Sequence, residues 1–309
     1  MSPSDLEGRK VLVTGGAGFI GSNLANYLSD SNQVIALDDL YLGTPENLDD
    51  EVEFVDKSVV GSDVPVDDVD VVFHLAALSS LNMHEDEPMN GARVNVEGFV
   101  NVVEQARKAG VDDVVYASTS SIYGSRTDPS SEDERVEART NYEASKLARE
   151  RYAESYSNRY GMSLAGMRFF SVYQGYGGAE SHKDEYANVI AQFADDIAHD
   201  ESPVLYGDGT QTRDFTHVND VVRACQLAVG ADDIYNVGTG EAYSFNTVVD
   251  MINQELGKGV EPEYIENPIP EDVYVHDTCA DNTKIEKDLG WEPRIDFDEG
   301  IERVCEVYK

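Results

Sequence analysis

Tyr142 and Lys146 stand four residues apart in the segment NYEASK, residues 141–146, and on a helix that spacing puts both side chains on one face. A phenol beside an ammonium is suited to taking a proton from an alcohol. An unperturbed tyrosine titrates near about 10, too high for a base at neutral pH. A cation next to it is expected to lower that value toward the working pH, where a general base is most effective. Upstream, Ser118-Thr119-Ser120-Ser121 ends an apolar run, and a hydroxyl from this stretch is placed to share the hydrogen bond to the reacting oxygen.

A second constellation is Thr14-Gly15-Gly16-Ala17-Gly18-Phe19-Ile20-Gly21, which contains Gly16-x-Gly18-x-x-Gly21. Glycines at this spacing permit a tight turn and let the backbone approach a pyrophosphate, which then rests on the positive end of the following helix. The neighbouring elements give the motif its meaning. Residues 9–14 (RKVLVT) form a short β-branched run that reads as a buried strand. Phe19, Ile20, Leu24 and Leu28 then recur at helical spacing, and residues 33–37 (QVIAL) read as a second strand that ends at Asp38. A carboxylate there would accept the ribose hydroxyls of an adenosine. A 2′-phosphate would instead meet Asp38 and Asp39 with no arginine adjacent, so NAD is favoured over NADP.

The elements that must carry these residues alternate. Strands are expected at 52–55, 69–75, 112–117 and 163–169, and helices over much of 91–109 and at 141–160. That alternation predicts an α/β fold, a parallel sheet with helices on both faces. Glycines become denser after residue 171, which marks a second lobe. Residues 217–238 are expected to return to the first domain, because Val218–Val229 reads as a helix and 234–237 (IYNV) as a strand. The division is therefore 1–172 with 217–238 as an NAD-binding domain, and 173–216 with 239–309 as a smaller substrate lobe.

Composition narrows the function. The chain has 60 acidic and 23 basic residues, a net charge of −37, and this disfavours nucleic acid as a partner. The acids punctuate apolar segments throughout, as at Asp112–Asp113, Asp195–Asp196 and Asp232–Asp233, rather than forming a tail. That is the pattern of a folded halophilic protein with a carboxylate-coated surface. No apolar run is long enough to span a membrane. The polar stretch Met1 to Lys10 lacks the features of a signal peptide, so a cytoplasmic location is expected. Cys225, Cys279 and Cys305 are far apart, and the six histidines show no metal-binding spacing, so no metal site is expected.

The motifs in this order resemble the NAD-dependent epimerase/dehydratase family, a group of extended short-chain dehydrogenases/reductases. The resemblance runs nearly end to end: Thr14 to Gly21, Asp38, His74-Leu75-Ala76-Ala77, Asn95 with Gly98, residues 115–124 (VYASTSSIYG), Tyr142 with Lys146, 168–173 (RFFSVY), 206–215 (YGDGTQTRDF) and 235–240 (YNVGTG). It implies a Rossmann-type doubly wound parallel sheet with a smaller C-terminal lobe that binds a nucleotide sugar. It places Thr119, Tyr142 and Lys146 as the catalytic residues. Around NAD it places Gly15, Gly18, Phe19, Ile20, Gly21, Asp38, Asp39, Leu75, Ala76, Ala77, Asn95 and Ser118, joined by Tyr142 and Lys146. Toward the nucleotide sugar, taken to be a UDP-hexose, it places Thr119, Ser171, Val189, Val204, Tyr206, Arg213 and Thr278. Arg213 would hold the diphosphate, a task that suits a guanidinium; the bland reading is a surface pair with Asp214 or Asp220. The family's pairing mode implies a homodimer through the helices near 91–109 and 141–160, with Val94, Val102 and Ala106 either in that interface or facing the sheet.

The chain departs from the family pattern at several points. Ser171 replaces an asparagine, and Ser58, with Asp56 nearby, stands where an adenine-contacting aspartate is usual. Ile269-Pro270-Glu271-Asp272 replaces a segment whose arginine clamps the diphosphate, with His276 as a candidate substitute. After Thr119, dehydratase relatives carry Asp-Glu and decarboxylating ones keep a Glu, whereas this chain has Ser120 and Ser121. The resemblance then implies a 4-epimerase of the UDP-glucose/UDP-galactose type, acting through a transient 4-keto sugar. Thr278 falls where pocket size at C2 is set, and its small side chain is compatible with an N-acetyl group. Two alternatives stand beside this reading: an oxidoreductase that releases NADH, and a non-catalytic dinucleotide sensor, which would not need the Tyr142–Lys146 pair.

The charge pattern generates a direct expectation. At 1 M salt the Debye length is about 3 Å, so surface self-repulsion is screened; diluting the salt should unfold the chain, as followed by circular dichroism. Full folding and activity at low ionic strength would contradict this.

Overall fold

The computed structural model describes residues 6–61 and 63–309. Met1–Asp5, the start of the polar leading stretch, lie outside the described residues. The chain forms two compact units. One comprises the chain up to Ile122 with Arg135–Arg168 and Val222–Tyr235; the other comprises Tyr123–Glu134, Phe169–Val221 and Asn236–Lys309.

The order of elements begins β1 (Lys10–Thr14), α1 (Phe19–Ser29), β2 (Gln33–Asp38), β3 (Glu53–Asp56), β4 (Val71–His74), α2 (Leu81–Asp86), α3 (Pro88–Ala92), α4 (Gly98–Ala109), β5 (Asp113–Ala117), α5 (Asn141–Tyr160) and β6 (Ser163–Phe169). It continues β7 (Val172–Tyr173), α6 (Val189–Ala198), β8 (Val204–Tyr206), β9 (Thr212–Arg213), β10 (Thr216–His217), α7 (Val218–Leu227) and β11 (Ile234–Val237). Seven strands form one sheet in the order β11-β6-β5-β4-β1-β2-β3. From β3 to β6 the pairings are parallel, with Thr14 opposite both Leu37 and His74. The chain winds outward from β1 to β3, then returns to the other side of β1 at β4. That reversal is the topological switch point of a doubly wound sheet, and it opens outside the carboxyl ends of β1 and β4.

The strands are apolar on both faces because helices cover both. Leu12, Val72 and Val114 pack with Phe99, Val102, Val103 and Ala106 of α4 in one continuous core. Val102 and Ala106 are fully buried in the core beneath the sheet, and half-buried Val94 packs against that core. The helix expected over 91–109 begins earlier, at Pro88, and contains a π-helical turn at Arg93–Glu97 between α3 and α4. Helix α2 falls in a stretch with no helical expectation.

The compact units divide the chain differently from the expected domains: the first leaves off at Arg168 rather than 172, Val222–Tyr235 of the expected 217–238 returns to it, and Tyr123–Glu134 packs with the second unit. The reason is long-range pairing: Ser130 donates its N–H to the Cys279 carbonyl, Arg126 to that of Asp277, and Asp281 donates to the Ser130 carbonyl. No local pattern encodes such a partner.

The second unit is completed by β12 (Tyr243–Ser244), α8 (Phe245–Leu256), β13 (Glu263–Ile265), α9 (Thr283–Leu289) and α10 (Phe297–Cys305). Its own core joins α6, α8 and α10 through Ile190, Phe193, Val248, Ile252, Ile301 and Val304. Among the described residues no helix is long and apolar enough to cross a membrane, and no group of metal-ligating side chains gathers. The three cysteines are buried, unpaired thiols.

Within the first unit, Glu150 and Arg168 form a buried ion pair. The carboxylate accepts Nε and Nη2 of Arg168 at 2.9 and 2.8 Å and the Ser118 hydroxyl at 2.6 Å. Removing one partner strands the other charge, so Arg168→Met should destabilise the protein by about 3–5 kcal/mol. Replacing both with apolar residues (Glu150→Leu with Arg168→Met) should cost less than the sum of the single changes, as read by denaturant unfolding at constant high salt.

Candidate active site

Two sets of side chains carry the chemistry, one in each unit. In the first unit the glycine loop connects β1 to α1. Gly15 has a left-handed φ of +68°, and it and Gly16 donate N–H groups to the Leu37 carbonyl, which ties the loop to β2. A Cβ on Gly15 would lie 2.6 Å from the Ala76 nitrogen, and one on Gly21 only 1.9 Å from the Gly15 oxygen, so these glycines exist for close packing. Gly18 differs. A Cβ there would meet only the Gly15 oxygen, at 3.3 Å, so the protein leaves that side of the loop open. Gly18 is also the N-cap of α1, no side chain caps that helix, and its first turn holds no acid. An open approach to an uncapped helix N-terminus fits a pyrophosphate. Phe19 and Gly21 are buried, as first-turn residues of α1.

Asp38 ends β2 and braces this loop, accepting the Ala17 and Leu40 N–H groups at 3.1 and 2.9 Å. Burial raises its pKa, and those two hydrogen bonds oppose the rise. Asp39 is exposed on the adjoining turn. Leu75, Ala76 and Ala77 follow β4 at the switch point, where the Leu75 N–H donates to the Thr14 carbonyl. The sequence reading thus brings Gly15, Gly18, Asp38, Leu75 and Ala76 to one edge of the sheet.

Two residues assigned to the cofactor prove to be interior. Asn95 lies in the π-helical turn, fully buried; it bonds Leu78 through both N–H and carbonyl, and donates to the Ser145 hydroxyl at 2.9 Å. The Ser118 hydroxyl is committed to Glu150.

Tyr142 and Lys146 sit near the start of α5. Thr140 caps the helix by accepting the Glu143 N–H, and Glu143 accepts both the backbone and the guanidinium of Arg139. Arg139 also donates to the Ser121 carbonyl at 2.8 Å, which fixes the serine loop to the helix. Thr119 faces the same region: its hydroxyl contacts that of Ser121 at 3.0 Å and acts to lower the Tyr142 pKa. The ammonium of Lys146 lies 5.7 Å from the Tyr142 ring centre and donates to the Ala117 carbonyl.

Burial raises the Tyr142 pKa, opposed first by the Thr119 hydroxyl and then by Arg149. Lys146 was expected to be the cation that lowers it. Instead Lys146 is itself buried, and burial with Arg149 nearby pushes its own pKa well below the ordinary value. Arg149 and His84, the latter edge-on to the Tyr142 ring at 5.5 Å, were missed by the sequence reading. A signal existed: Arg149 follows Tyr142 by seven residues and so shares its helix face.

The second unit holds the remaining residues. Arg213 donates to the carbonyls of Thr212 and His276, each at 2.8 Å, and lies over the rings of Phe245 and Tyr274. It does not pair with Asp214 or Asp220. The Asp214 carboxylate accepts N–H groups of Thr239, Gly240 and Ala280, and that of Asp220 accepts those of Arg294 and Ile295. Tyr206 and His276 line a cavity of about 510 Å³ together with Tyr274, Gln211 and Pro270. His276 is held by Asp277 at 2.9 Å. Val204 is exposed on β8 and Val189 opens α6, half-buried. Thr278 is buried, its hydroxyl accepting the Asp214 N–H at 3.3 Å. Ser171 has a φ of +23°, a strained value for serine of the kind that gathers at functional sites.

Comparison with known proteins agrees with this geometry. The model of the NAD dependent epimerase/dehydratase family matches residues 11–238. A putative UDP-glucose 4-epimerase of Methanocaldococcus jannaschii is 37% identical over 97% of this chain and 98% of its own. Among solved structures, a UDP-N-acetylglucosamine 4-epimerase of Methanobrevibacter ruminantium, in complex with UDP-N-acetylmuramic acid, superposes with a TM-score of 0.90 at 29% identity, covering 97% of this chain and 98% of that one. A UDP-glucose 4-epimerase of Thermotoga maritima with UDP-glucose gives 0.87 at 31% identity, with the same coverage.

The open side at Gly18 can be tested. Gly18→Ala has an ordinary φ of −79° and its methyl meets only the Gly15 carbonyl, at 3.3 Å, so the fold should persist with a small local shift. NAD affinity should fall about tenfold or more by titration calorimetry, and the NAD-induced rise in Tm should shrink with it. Unchanged affinity would mean that the pyrophosphate does not approach there.

Proposed function

Because the chain belongs to the NAD-dependent epimerase/dehydratase family, we propose that it is a nucleotide-sugar 4-epimerase of the UDP-glucose/UDP-galactose type. The observation that carries this reading is Tyr142 with Lys146 on one face of α5 and, after Thr119, a loop that offers only the hydroxyls of Ser120 and Ser121. Elimination of water or loss of CO2 calls for a carboxylate at those positions; oxidation and reduction at one carbon does not.

The residues divide the work as follows. Tyr142 takes the proton from the sugar O4 hydroxyl, with Thr119 hydrogen-bonded to the same oxygen. The Gly15–Gly21 loop and Asp38 would hold NAD, which when bound would supply the reversible hydride acceptor for the carbon bearing O4. The 4-keto sugar presents its opposite face, and Tyr142 gives the proton back to O4. Arg213 holds the diphosphate, and the cavity at Tyr206 and His276 takes the base. The Thermotoga relative's UDP-glucose supports the nucleotide assignment. A second reading, with N-acetylhexosamines as substrates, is supported by the small Thr278 side chain and by the name of the Methanobrevibacter relative.

The experiment is incubation with NAD and either UDP-glucose or UDP-N-acetylglucosamine in concentrated KCl, with products resolved by NMR. The 4-epimer should appear without net NADH. Tyr142→Phe should lower kcat by about 10²-fold or more, the range for loss of a positioned base. Net NADH without epimer would make the protein a dehydrogenase.

A further inference from the structure

A buried positive charge accompanies the catalytic pair, and no carboxylate neutralises it. Tyr142, Lys146 and Arg149 occupy positions i, i+4 and i+7 on α5 and so share one face. Arg149 is fully buried. Its guanidinium donates to three backbone carbonyls: Asn95 at 2.7 Å, Ala76 at 2.7 Å and Ala117 at 3.3 Å. These acceptors lie on three different connections: the loop after β4, the π-helical turn before α4, and the end of β5 that leads into Ser118 and Thr119. The Ala117 carbonyl also accepts the Lys146 ammonium at 3.3 Å, so one oxygen serves both cations. The adjacent acid cannot cancel the charge, because Glu150 is held by Arg168 and Ser118. Among the described residues Arg149 makes no ion pair.

We propose that Arg149 is a positioning residue for the Tyr142 base: its fork fixes the Ala76, Asn95 and Ala117 loops in register, and its uncancelled charge favours the tyrosinate. The proposal rests on Tyr142 being the base. Guanidinium suits the task because it keeps its proton when buried, whereas an ammonium readily loses it. Burial depresses Arg149 only to about 10, leaving it cationic at neutral pH, whereas Lys146 falls well below its ordinary value. The other titratable groups facing this pair do not supply a cation. His74 on β4 is held neutral by burial and by the charge of Arg149. His84 on α2 is lowered by burial too, Tyr116 on β5 is raised, and Glu143 on α5 is engaged by Arg139.

The test compares Arg149→Met and Arg149→Lys with wild type, all full length and NAD-loaded in concentrated KCl, with folding checked by circular dichroism. Tyrosinate absorbance, with Tyr142→Phe as the subtracted reference, reports Tyr142 ionisation without any substrate. In Arg149→Met it should move up by about one pH unit or more, the scale for a cation at close range. The acid limb of the kcat profile should move with it, while KM changes little. Arg149→Lys, whose ammonium burial discharges, should also move the titration up and lower kcat through lost hydrogen bonds, and it decides the question alone if the Met variant does not fold. An unmoved titration in either folded variant would overturn the proposal. If wild type turns over no sugar nucleotide, the functional reading fails, and the titration still judges Arg149.

Discussion

On the proposed reading, a phenol that must ionise inside the protein is the constraint around which its unit is arranged. Burial disfavours the charged form of any acid, and it raises the Tyr142 pKa here. Exposure would remove that penalty, and with it the exclusion of water from Tyr142. The chain keeps the burial and offsets it with the Thr119 hydroxyl and the Arg149 guanidinium, both of which act to lower that pKa. The same low-dielectric surroundings that raise the cost of the tyrosinate also strengthen each of those offsetting interactions. A displacement of any one of them would therefore weigh more than it would at the surface.

The sheet makes such positions reproducible. Parallel strands bring the ends of β1, β4 and β5 to a common edge, and everything that follows a strand begins there: the glycine loop after β1, Ala76 after β4, Thr119 after β5. Asp38 ends β2 on the same edge. These loops would be independent of one another if the strands alone held them. Asn95, Arg149 and the Glu150–Arg168 pair cross-link them from the helix side, using buried polar groups whose partners are all satisfied by protein. The π-helical turn at Asn95 belongs to this scheme. It adds a residue to the helix, and the carbonyl of Asn95 then points to Arg149 instead of continuing the ordinary ladder.

What was legible in the sequence follows from range. Periodicity and caps are local, so β1, β2, β6, α5 and β11 fall within a residue or two of their expected places. The glycine loop is legible because its chemistry is carried by neighbours in the chain. The segment Tyr123–Glu134 packs with the second unit, contrary to expectation, because its partners lie near Asp277 and Cys279, far along the chain. Lys146 shows a different failure. Its position was read correctly, but its charge state depends on how deeply α5 is buried and on a second cation seven residues from Tyr142. Spacing places a side chain on a face; only the packed structure says what dielectric that face meets.

The chain's extreme composition bears on the same point. It carries 23 basic residues against 60 acidic ones, yet Lys146, Arg149 and Arg168 are spent in the interior. Surface carboxylates in concentrated salt interact over a Debye length of only about 3 Å, so they contribute solubility and hydration more than specific fields. Salt ions do not enter the packed region around α5, so the interactions of Arg149 with Tyr142 and of Glu150 with Arg168 escape that screening. The two kinds of electrostatics are thereby separated: solvent conditions govern whether the acidic surface can fold, and the buried cations govern the proton chemistry once it has. Surface charge can therefore vary widely while the local field at Tyr142 changes little, because the packed groups around it, Arg149 among them, lie closer to it than the carboxylates that make up the net charge of −37.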